Sequence, residues 1–252
     1  RGSRLTSDRN RIDYFSSNAG GYTLEAEFGI APNGYSEPDF EIWELKQYGV
    51  TSFDRVQSKP ITLMTPEPTG GIYTEEGLKR FIQIYGYQDR RGRENRINFG
   101  GVHRIGAIQR LTQLEMKLIG YDSETKKITD SEGSIVLVDK SDVIAASWDF
   151  SSLLKHWNRK HQHAVYIPSM NKKENDISFY AYSNNVQLGE HTDFLLFLES
   201  LNDGSIYYDP AIKLEGIGTG HERHKRRSQF RIGTVKLHNL YKTFELIDVL
   251  DT

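Results

Sequence analysis

Cysteine is absent from all 252 residues of the chain, which excludes disulfide bonds, thiolate metal sites and cysteine nucleophiles. This absence suits a reducing compartment, so the expected location is the cytoplasm. Long apolar runs are lacking as well. No stretch approaches the roughly 18 consecutive apolar residues of a membrane-spanning helix, and no charged-then-apolar leader opens the chain. Hydrophobic residues at 37% and charged residues at 26% are typical of a globular protein that buries a full core.

A strong net charge is also lacking, but the average conceals two basic segments. The formal net charge is −2. Residues 79–104 carry seven lysines and arginines against Asp89 and Glu94, and residues 221–231 carry five against Glu222. Screening limits the reach of each segment to about 8 Å at physiological salt, so local charge decides what binds there. Both segments are therefore candidates for contact with a polyanion such as nucleic acid.

Short strand-like runs are mixed with amphipathic helices along most of the chain. The clearest predicted strands are 39–48, 61–65, 114–122 and 134–139. The predicted helices lie near 23–28, at 149–161 and at 192–204. This mixture with short connections predicts one α/β domain around a mixed sheet, with a sub-lobe.

Several local signals define the helix ends and the first residues of the chain. Thr23 and Thr192 are predicted helix caps, and Asn33-Gly34 is a predicted turn. Leu24 and Phe28 are expected to share one face of the first helix. In the helix that begins at Asp149 or Ser151, we expect a buried face that consists of Leu153, Leu154 and Trp157. Residues 1–19 are polar and aperiodic, and are expected to form a disordered lead or a linker from a preceding effector domain.

The stretch "EPDFEIWELKQY", residues 37–48, places acidic and basic side chains inside an otherwise apolar run. On a strand, side chains alternate between faces, so Glu44 and Lys46 lie on one face about 7 Å apart and Leu45 on the other. A turn or bulge could bring Asp39 beside them. Two carboxylates and a backbone carbonyl suit a hard divalent cation, and a nearby lysine can stabilise charge on a phosphate. The alternative is an edge strand with a solvated Glu–Lys pair.

A further carboxylate precedes this stretch on the first predicted helix. Glu25 could reach the same metal ion or its water shell. Glu27 lies two residues on and faces elsewhere on a helix. The order of helix, turn and strand makes a metal-dependent nuclease site a candidate, with Glu25 at its margin, and the solvated edge strand stays the alternative.

The same stretches resemble a known family. "GGYTLEAEFGI", "EPDFEIWELKQY" and "ITLMTPEPTGG" look like the MvaI/BcnI family of restriction endonucleases, a branch of the PD-(D/E)xK nucleases. The resemblance extends in the same order through "RINFGGVHRIG", "HWNRKH", "YIPSM", "TDFLLFL", "IYYDPAIKLE" and "KRRSQFRI". It covers the chain from about residue 20 to its end.

The resemblance implies a fold and a reaction. The fold is a restriction-endonuclease-like core, a mixed sheet flanked by helices in a two-lobed clamp around double-stranded DNA. Its catalytic core spans about 20–150, with recognition elements in 79–104 and 218–233. The reaction is Mg²⁺-dependent hydrolysis, with Mn²⁺ as a substitute, that leaves 5′-phosphate and 3′-hydroxyl ends. A monomer with one active site would nick the two strands of a CC-W-GG-like or CC-S-GG-like site in succession.

The resemblance also assigns roles to individual residues. Pro38-Asp39, Glu44 and Lys46 match the family motif, and Glu25 matches a helix glutamate near the active site. The implied metal ligands are Asp39, Glu44 and the backbone carbonyl of Leu45.

Candidate DNA contacts lie mainly in the two basic segments. Lys225, Arg226 and Arg227 suit phosphates, whereas Gln229 and Arg231 have the forked geometry that reads base edges. The remaining candidates are His221, Arg223, His224, Arg93, Arg96, His103 and Arg104, with Thr65 and Thr69 near the scissile phosphate. The alternative for each segment is a solvated surface loop, and for the two threonines a rigid turn.

Two rival functions stay open at this point. A nicking or mismatch-repair endonuclease of MutH type would use the same scaffold and leave persistent nicks. A catalytically silent DNA-binding module would not need Asp39, Glu44 and Lys46 together. The number of strands cut distinguishes the first rival, and the intact motif argues against the second.

Overall fold

The computed structural model describes residues 1–32 and 38–251, which divide into two compact units. The first unit comprises Arg1–Ile61, His156–Leu196 and Gly233–Thr252, and the second comprises Thr62–Lys155 and Phe197–Ile232. Each unit is therefore assembled from separate parts of the chain. Residues 33–37, with the predicted Asn33-Gly34 turn, lie outside the described residues.

Strands and helices are mixed throughout, which confirms the predicted α/β class. The strands are β1 (Ser3–Leu5), β2 (Arg11–Asp13), β3 (Glu44–Gly49), β4 (Pro60–Met64), β5 (Tyr87–Gln88), β6 (Arg96–Gly100), β7 (Glu115–Ile119), β8 (Tyr121–Asp122), β9 (Lys127–Ile128), β10 (Ser134–Val138), β11 (Ile144–Asp149), β12 (His163–Glu174), β13 (Ile177–Tyr182), β14 (Asn185–Glu190), β15 (Ile206–Tyr208), β16 (Ala211–Glu215), β17 (Arg223–Lys225), β18 (Phe230–Gly233) and β19 (Thr243–Asp248). The helices are α1 (Ala19–Glu27), α2 (Ile72–Glu75), α3 (Gly77–Tyr85), α4 (Phe150–His161) and α5 (Phe194–Asn202), with a 3₁₀ helix at Thr234–Leu240. Across residues 1–32 and 38–251, no helix is long and apolar enough to cross a membrane.

The first unit is built around a five-stranded mixed sheet. Strand β12 pairs antiparallel with β13 and β14, β14 pairs with β19, and β3 runs parallel to β12. The register places Glu44 opposite Ala164 and Lys46 opposite Tyr166. Because side chains alternate along a strand, Glu44 and Lys46 share one face, and Leu45 points to the other.

The Leu45 face of this sheet carries an apolar core under α1. Leu24, Leu45, Ile167 and Val186 form a buried cluster. A fully buried side chain of this kind contributes roughly 1.5–3 kcal/mol relative to exposure, so the cluster holds α1 against β3. Only half of the predicted helix face is buried, since Phe28 is 43% exposed.

Residues 1–19, expected to form a lead or linker, are ordered against this core. Strands β1 and β2 form an antiparallel hairpin. The Ser3 amide donates to Thr23 Oγ1 at 2.9 Å, and the Thr23 hydroxyl donates to the Ala19 carbonyl at 2.6 Å. Thr23 therefore lies inside α1 and supports the hairpin, so its prediction as the helix cap is wrong.

Helices α4 and α5 differ in detail from the sequence pattern. Helix α4 begins after Asp149 as predicted, with Leu153 and Trp157 fully buried, but Leu154 is 37% exposed. The i, i+4 pair at 153 and 157 forms the buried face, and residue 154 lies to one side of it. The Thr192 hydroxyl is occupied, because it accepts from Trp157 Nε1 at 3.1 Å and donates to the Leu240 carbonyl at 2.5 Å. Asp193 caps α5 instead, accepting from the Leu196 amide at 2.9 Å.

The second unit contains an aromatic core, three sheets of three or four strands and the two-stranded hairpin β8-β9. The strand orders of the three sheets are β11-β10-β7, β15-β18-β4 and β17-β16-β6-β5. The core includes Trp148, Tyr208 and Phe230, whose rings meet at centroid distances of 4.7–5.4 Å. Trp148 Nε1 donates to the Pro66 carbonyl at 3.1 Å, which satisfies the polar end of the buried indole.

Candidate active site

A tight turn delivers Asp39 to the beginning of β3. Phe40 and Trp43 exchange backbone hydrogen bonds at 2.9 and 2.7 Å, and Glu41 at the tip has φ 51°. The chain therefore reverses, and Asp39 Oδ2 accepts a 3.0 Å hydrogen bond from the Leu45 amide. The predicted strand over 39–48 forms only from Glu44, and the preceding residues supply the turn.

Glu44 is the buried centre of the cluster. Its side chain is 2% exposed, and Oε1 accepts a 2.5 Å hydrogen bond from Lys46 Nζ. Oε2 is buried and accepts no hydrogen bond from any described residue. Burial alone would raise the pKa of Glu44, but Lys46 and Lys160 outweigh it and hold that pKa below its usual value. The carboxylate is therefore ionised, with one buried oxygen left for a further ligand.

Lys160, which the sequence analysis missed, is a second cation at Glu44. It lies in the last turn of α4, and its Nζ is 3.6 Å from Glu44 Oε1. Its neighbours fix that turn, because the His161 and Trp157 rings stack at 4.3 Å and both are fully buried. The i, i+4 pair of aromatic rings in "HWNRKH" was the available signal. It shows which face of the helix is anchored, but not which carboxylate Lys160 reaches.

Glu25 and Asp39 complete a group of three mutually interacting carboxylates. Burial, then Asp39 and Glu44, raises the pKa of Glu25 to about 7, against the opposing effect of Lys46 and Lys160. Burial, then Glu44, raises the pKa of Asp39. Burial is the larger cause of both shifts, and the charges of the neighbouring carboxylates add to it. Glu25 and Asp39 are therefore part-buried carboxylates that interact electrostatically with this group.

The donors in this group suit a hard cation only if the backbone contributes. Within residues 1–32 and 38–251, no three histidine, aspartate or glutamate side chains stand close enough to hold a metal ion by themselves. The Leu45 amide points at Asp39. In an extended strand the carbonyl of the same residue points to the same side, so it faces the same edge of β3. The Asp39 carboxylate, the unpaired Glu44 oxygen and this carbonyl form an oxygen-donor set that fits Mg²⁺ with water completing the shell.

Two tyrosines lie on the same side of the sheet as Glu44. The hydroxyls of Tyr166 and Tyr241 are 2.7 Å apart, and burial raises the pKa of both phenols. They therefore stay neutral and form a rigid, buried hydrogen-bonded pair. No motif in the sequence singles these tyrosines out.

Residues 3–241 of the chain match the MvaI/BcnI restriction endonuclease family. The chain belongs to this family. It is therefore a type II site-specific deoxyribonuclease, and the resemblance seen in the sequence is confirmed. Restriction endonucleases of this family generally use a divalent metal ion.

A solved structure shows the same fold. The chain is similar to a complex of restriction endonuclease MvaI with cognate DNA, with a TM-score of 0.67 and 21% identity over 97% of this chain and 92% of that one. For restriction endonuclease MvaI in the absence of DNA, the TM-score is 0.49 with 19% identity, over 91% and 84% of the two chains. No curated protein sequence matches significantly.

The second unit of this family member carries the predicted DNA contacts. Every side chain from His221 to Arg227 is exposed, and β17 pairs with β16 within this segment. Arg226 lies 3.7 Å from Glu67 in an exposed ion pair, which contributes little to stability. The segment is thus a strand and loop with its cations at the surface.

Two of the predicted DNA contacts are wrong because the side chains are buried. His103 is 0% exposed, and its ring nitrogens bond the Gly101 carbonyl and Thr112 Oγ1, both at 2.9 Å. Burial lowers the pKa of His103 to about 4, so it is a neutral core residue. Gln229 is 4% exposed, and its Oε1 accepts from the Thr62 hydroxyl at 3.3 Å. Neither side chain reaches a surface where DNA could touch it.

Three of the predicted arginines are held by other residues. Arg231 pairs with Asp209 at 2.7 Å and is 21% exposed. Arg96 pairs with Asp89 at 3.1 Å and is 13% exposed. Arg104 donates to the Gly204 carbonyl at 3.2 Å and is itself exposed. These contacts fix the side chains in place, and Arg93 lies exposed in the loop after Asp89.

Thr69 anchors a turn. Its hydroxyl accepts from the Asp149 amide at 3.1 Å and donates to the Ser147 carbonyl at 3.3 Å. These bonds favour the rigid-turn alternative for Thr69. Thr65 lies exposed at the beginning of the same segment.

Proposed function

We propose that the chain is a Mg²⁺-dependent restriction endonuclease whose active site is the cluster in the first unit. Asp39, Glu44 and Lys46 form its centre, with Glu25 at its margin. The observation that carries this proposal is Glu44, an ionised and buried carboxylate with one oxygen held by lysine and the other unpaired among the described residues. A purely structural ion pair would satisfy both oxygens.

The residues that would hold the metal are Asp39, Glu44 and the carbonyl of Leu45. Bound Mg²⁺ supplies Lewis-acid stabilisation of a phosphoryl oxygen and makes a nearby water more acidic. Mn²⁺, which accepts the same oxygen donors, is the expected substitute. Glu25 interacts electrostatically with this group.

The lysines of the cluster have separate roles in the hydrolysis. The reaction forms a bond from water oxygen to phosphorus and breaks the bond to O3′, which leaves as a hydroxyl after gaining a proton. Lys46, fixed by Glu44, is placed to offset negative charge that builds on the phosphate. Lys160, from α4, lies near the same Glu44 oxygen as Lys46 and helps to keep that carboxylate ionised and oriented. The products are 5′-phosphate and 3′-hydroxyl ends.

DNA recognition is assigned to the second unit. The exposed cations of residues 221–227 suit backbone phosphates, which provide most non-specific affinity. Arg231 remains the proposed base contact, held by Asp209 in a fixed orientation, and its partial exposure is enough for the guanidinium tip to reach a guanine edge. A two-lobed clamp around DNA stays a prediction of the family resemblance.

A monomer with this one cluster would cut the two strands in successive steps at a site such as CC-W-GG or CC-S-GG. The rival nicking function of MutH type uses the same cluster and differs only in the strand count. The silent binding module is disfavoured by Glu44 and its two lysines, since binding alone does not require a buried carboxylate with an unpaired oxygen.

Digestion of a plasmid of known sequence tests the proposal. With Mg²⁺ we expect nicked and then linear product, with both ends mapping to one short site. With EDTA we expect none. Nicks that persist at long times would assign the repair-type function, and intact plasmid with Mg²⁺ and Mn²⁺ alike would overturn the proposal.

A further inference from the structure

A pocket of ≈ 570 Å³ lies in the second unit beside strands β5, β6 and β16. Its lining includes Tyr87 and Asn98 from the strands and a run of arginines from the loop that joins β5 to β6. Lys213 of β16 closes one side. The volume is in the range of pockets that hold small ligands, and the lining is unusually cationic.

The acidic residue of this pocket, Asp89, is already hydrogen-bonded within the loop and to β6. Asp89 accepts from Asn98 Nδ2 at 3.1 Å and from the Arg91 amide at 2.8 Å, and pairs with Arg96 at 3.1 Å. Arg96 also pairs with Glu215 at 3.2 Å. Arg96 is therefore neutralised by two carboxylates and serves as a framework for the loop.

The other cations of the pocket lack such partners. Arg90, Arg91, Arg93 and Lys213 form no ion pair with a residue in the described part of the chain, where the pocket's salt bridges belong to Arg96. Lys213 is half-buried in the middle of β16. Burial, followed by Arg96, lowers its pKa against the opposing effect of Glu215, and Lys225 and Arg93 add to the lowering. The cations here therefore outnumber the nearby carboxylates Asp89 and Glu215, which already pair with Arg96.

The strand register extends this crowding beyond the pocket. Lys213 lies directly opposite Lys225 on β17. Like charges directly opposite on neighbouring strands destabilise a sheet, and strands lie about 4.8 Å apart. The cations therefore form a row from the loop across β16 to β17, which matches a chain of phosphates better than a single small anion.

We propose that this pocket and the row beginning at it bind consecutive backbone phosphates of the DNA substrate. Lys213 and Arg93 are the principal contacts, and Arg90 and Arg91 line the mouth. The inference rests on the proposed nuclease function and deepens it. Neither residue belongs to the carboxylate cluster, so the contact can be tested in the absence of metal.

The test is the salt dependence of duplex binding in EDTA, measured by fluorescence anisotropy for wild type, Lys213→Gln, Arg93→Gln and the double variant. Each lost phosphate contact lowers the slope of log K against log salt by about 0.9. When salt rises from 50 to 200 mM, the affinity of each single variant should fall by a factor about 3.5 times smaller than the factor for wild type. For the double variant, the factor should be about twelve times smaller than for wild type. Lys127→Gln, an exposed lysine of β9 in the same unit, is the charge-matched control and should keep the wild-type slope.

The outcomes separate this pocket from the function as a whole. Variants with the slope of Lys127→Gln would overturn the pocket assignment while leaving the nuclease proposal in place. Wild type that neither binds DNA in a salt-dependent way nor cuts it would overturn both. Inorganic pyrophosphate bound calorimetrically as tightly as duplex, and lost in Lys213→Gln, would replace DNA by a free anion. Lys213→Gln removes a repulsion, so its melting temperature should not fall below that of wild type, and an unfolded variant would contradict the crowding argument.

Discussion

The Nζ atom of Lys160 lies 3.6 Å from Oε1 of Glu44, although the two residues are far apart in the sequence. Lys46 bonds the same oxygen from the adjoining strand position at 2.5 Å. One carboxylate oxygen therefore interacts with two ammonium groups from different elements. The carboxylate is held in one orientation, while its other oxygen stays available, and this arrangement is the basis of the predictions below.

Replacement of Lys160 should slow cleavage without unfolding the protein. Lys160→Gln removes one of two cations at Glu44, and we expect the single-turnover rate to fall on the order of 10–100-fold, less than for loss of Lys46. Lys160→Arg keeps the charge and should recover part of the rate. Lys155→Gln, an exposed lysine on the same helix, should cleave as wild type does. Equal rates for Lys160→Gln and Lys155→Gln would remove Lys160 from the active site.

Local spacing and the family resemblance together predicted the central cluster, since spacing alone left a solvated Glu–Lys pair as the alternative. Asp39, Glu44 and Lys46 lie within eight positions, so a turn and a strand period bring them together. Lys160 was out of reach of that reasoning, because its position depends on the parallel pairing of β3 with β12 and on the packing of α4.

Two of the predicted DNA contacts, His103 and Gln229, are buried for a different reason. His103 is adjacent to Arg104 and Gln229 is two residues from Arg227 and Arg231, and this basic context suggested a surface. In the structure both side chains are buried in the interior, and Gln229 directly precedes the buried Phe230. A polar side chain next to a core residue can be satisfied internally, and charge counting along the chain does not reveal this.

Glu25 should make the metal-free protein less stable at alkaline pH. Its pKa is raised from 4.5 to about 7, so between these values the folded state keeps a proton that the unfolded state has lost. The free energy of unfolding therefore falls as pH rises through that window. The full shift corresponds to about 3 kcal/mol, which solvent screening of this part-buried group reduces to on the order of 1–2 kcal/mol.

The measurement is the melting temperature of Glu25→Gln and wild type in EDTA. At pH 8 the variant should melt about 2–8 °C higher, and at pH 4.5 the two should nearly coincide. A variant that is less stable at pH 8, or a difference that does not change with pH, would contradict the assigned interaction among the three carboxylates.

Arg231 and Arg227 should differ in what they contribute to binding. Arg231→Ala should cost about 1–3 kcal/mol on the cognate site and far less on random DNA, as a base contact requires. Arg227→Ala should weaken both complexes alike and lower the salt slope by about 1. Competition binding with cognate and random duplexes measures both effects. Equal losses on the two duplexes for Arg231→Ala would make it a phosphate contact or a structural partner of Asp209.

The central claim is that Asp39, Glu44 and Lys46 perform the cleavage and do not merely support the fold. The most direct measurement compares single-turnover cleavage with Mg²⁺ and duplex binding in Ca²⁺ for wild type, Asp39→Ala and Lys46→Ala. We predict that cleavage falls by at least about 10²–10³-fold in each variant, while cognate binding and melting temperature stay close to wild type. Variants that cut at the wild-type rate, or that lose binding together with cleavage, would contradict the account.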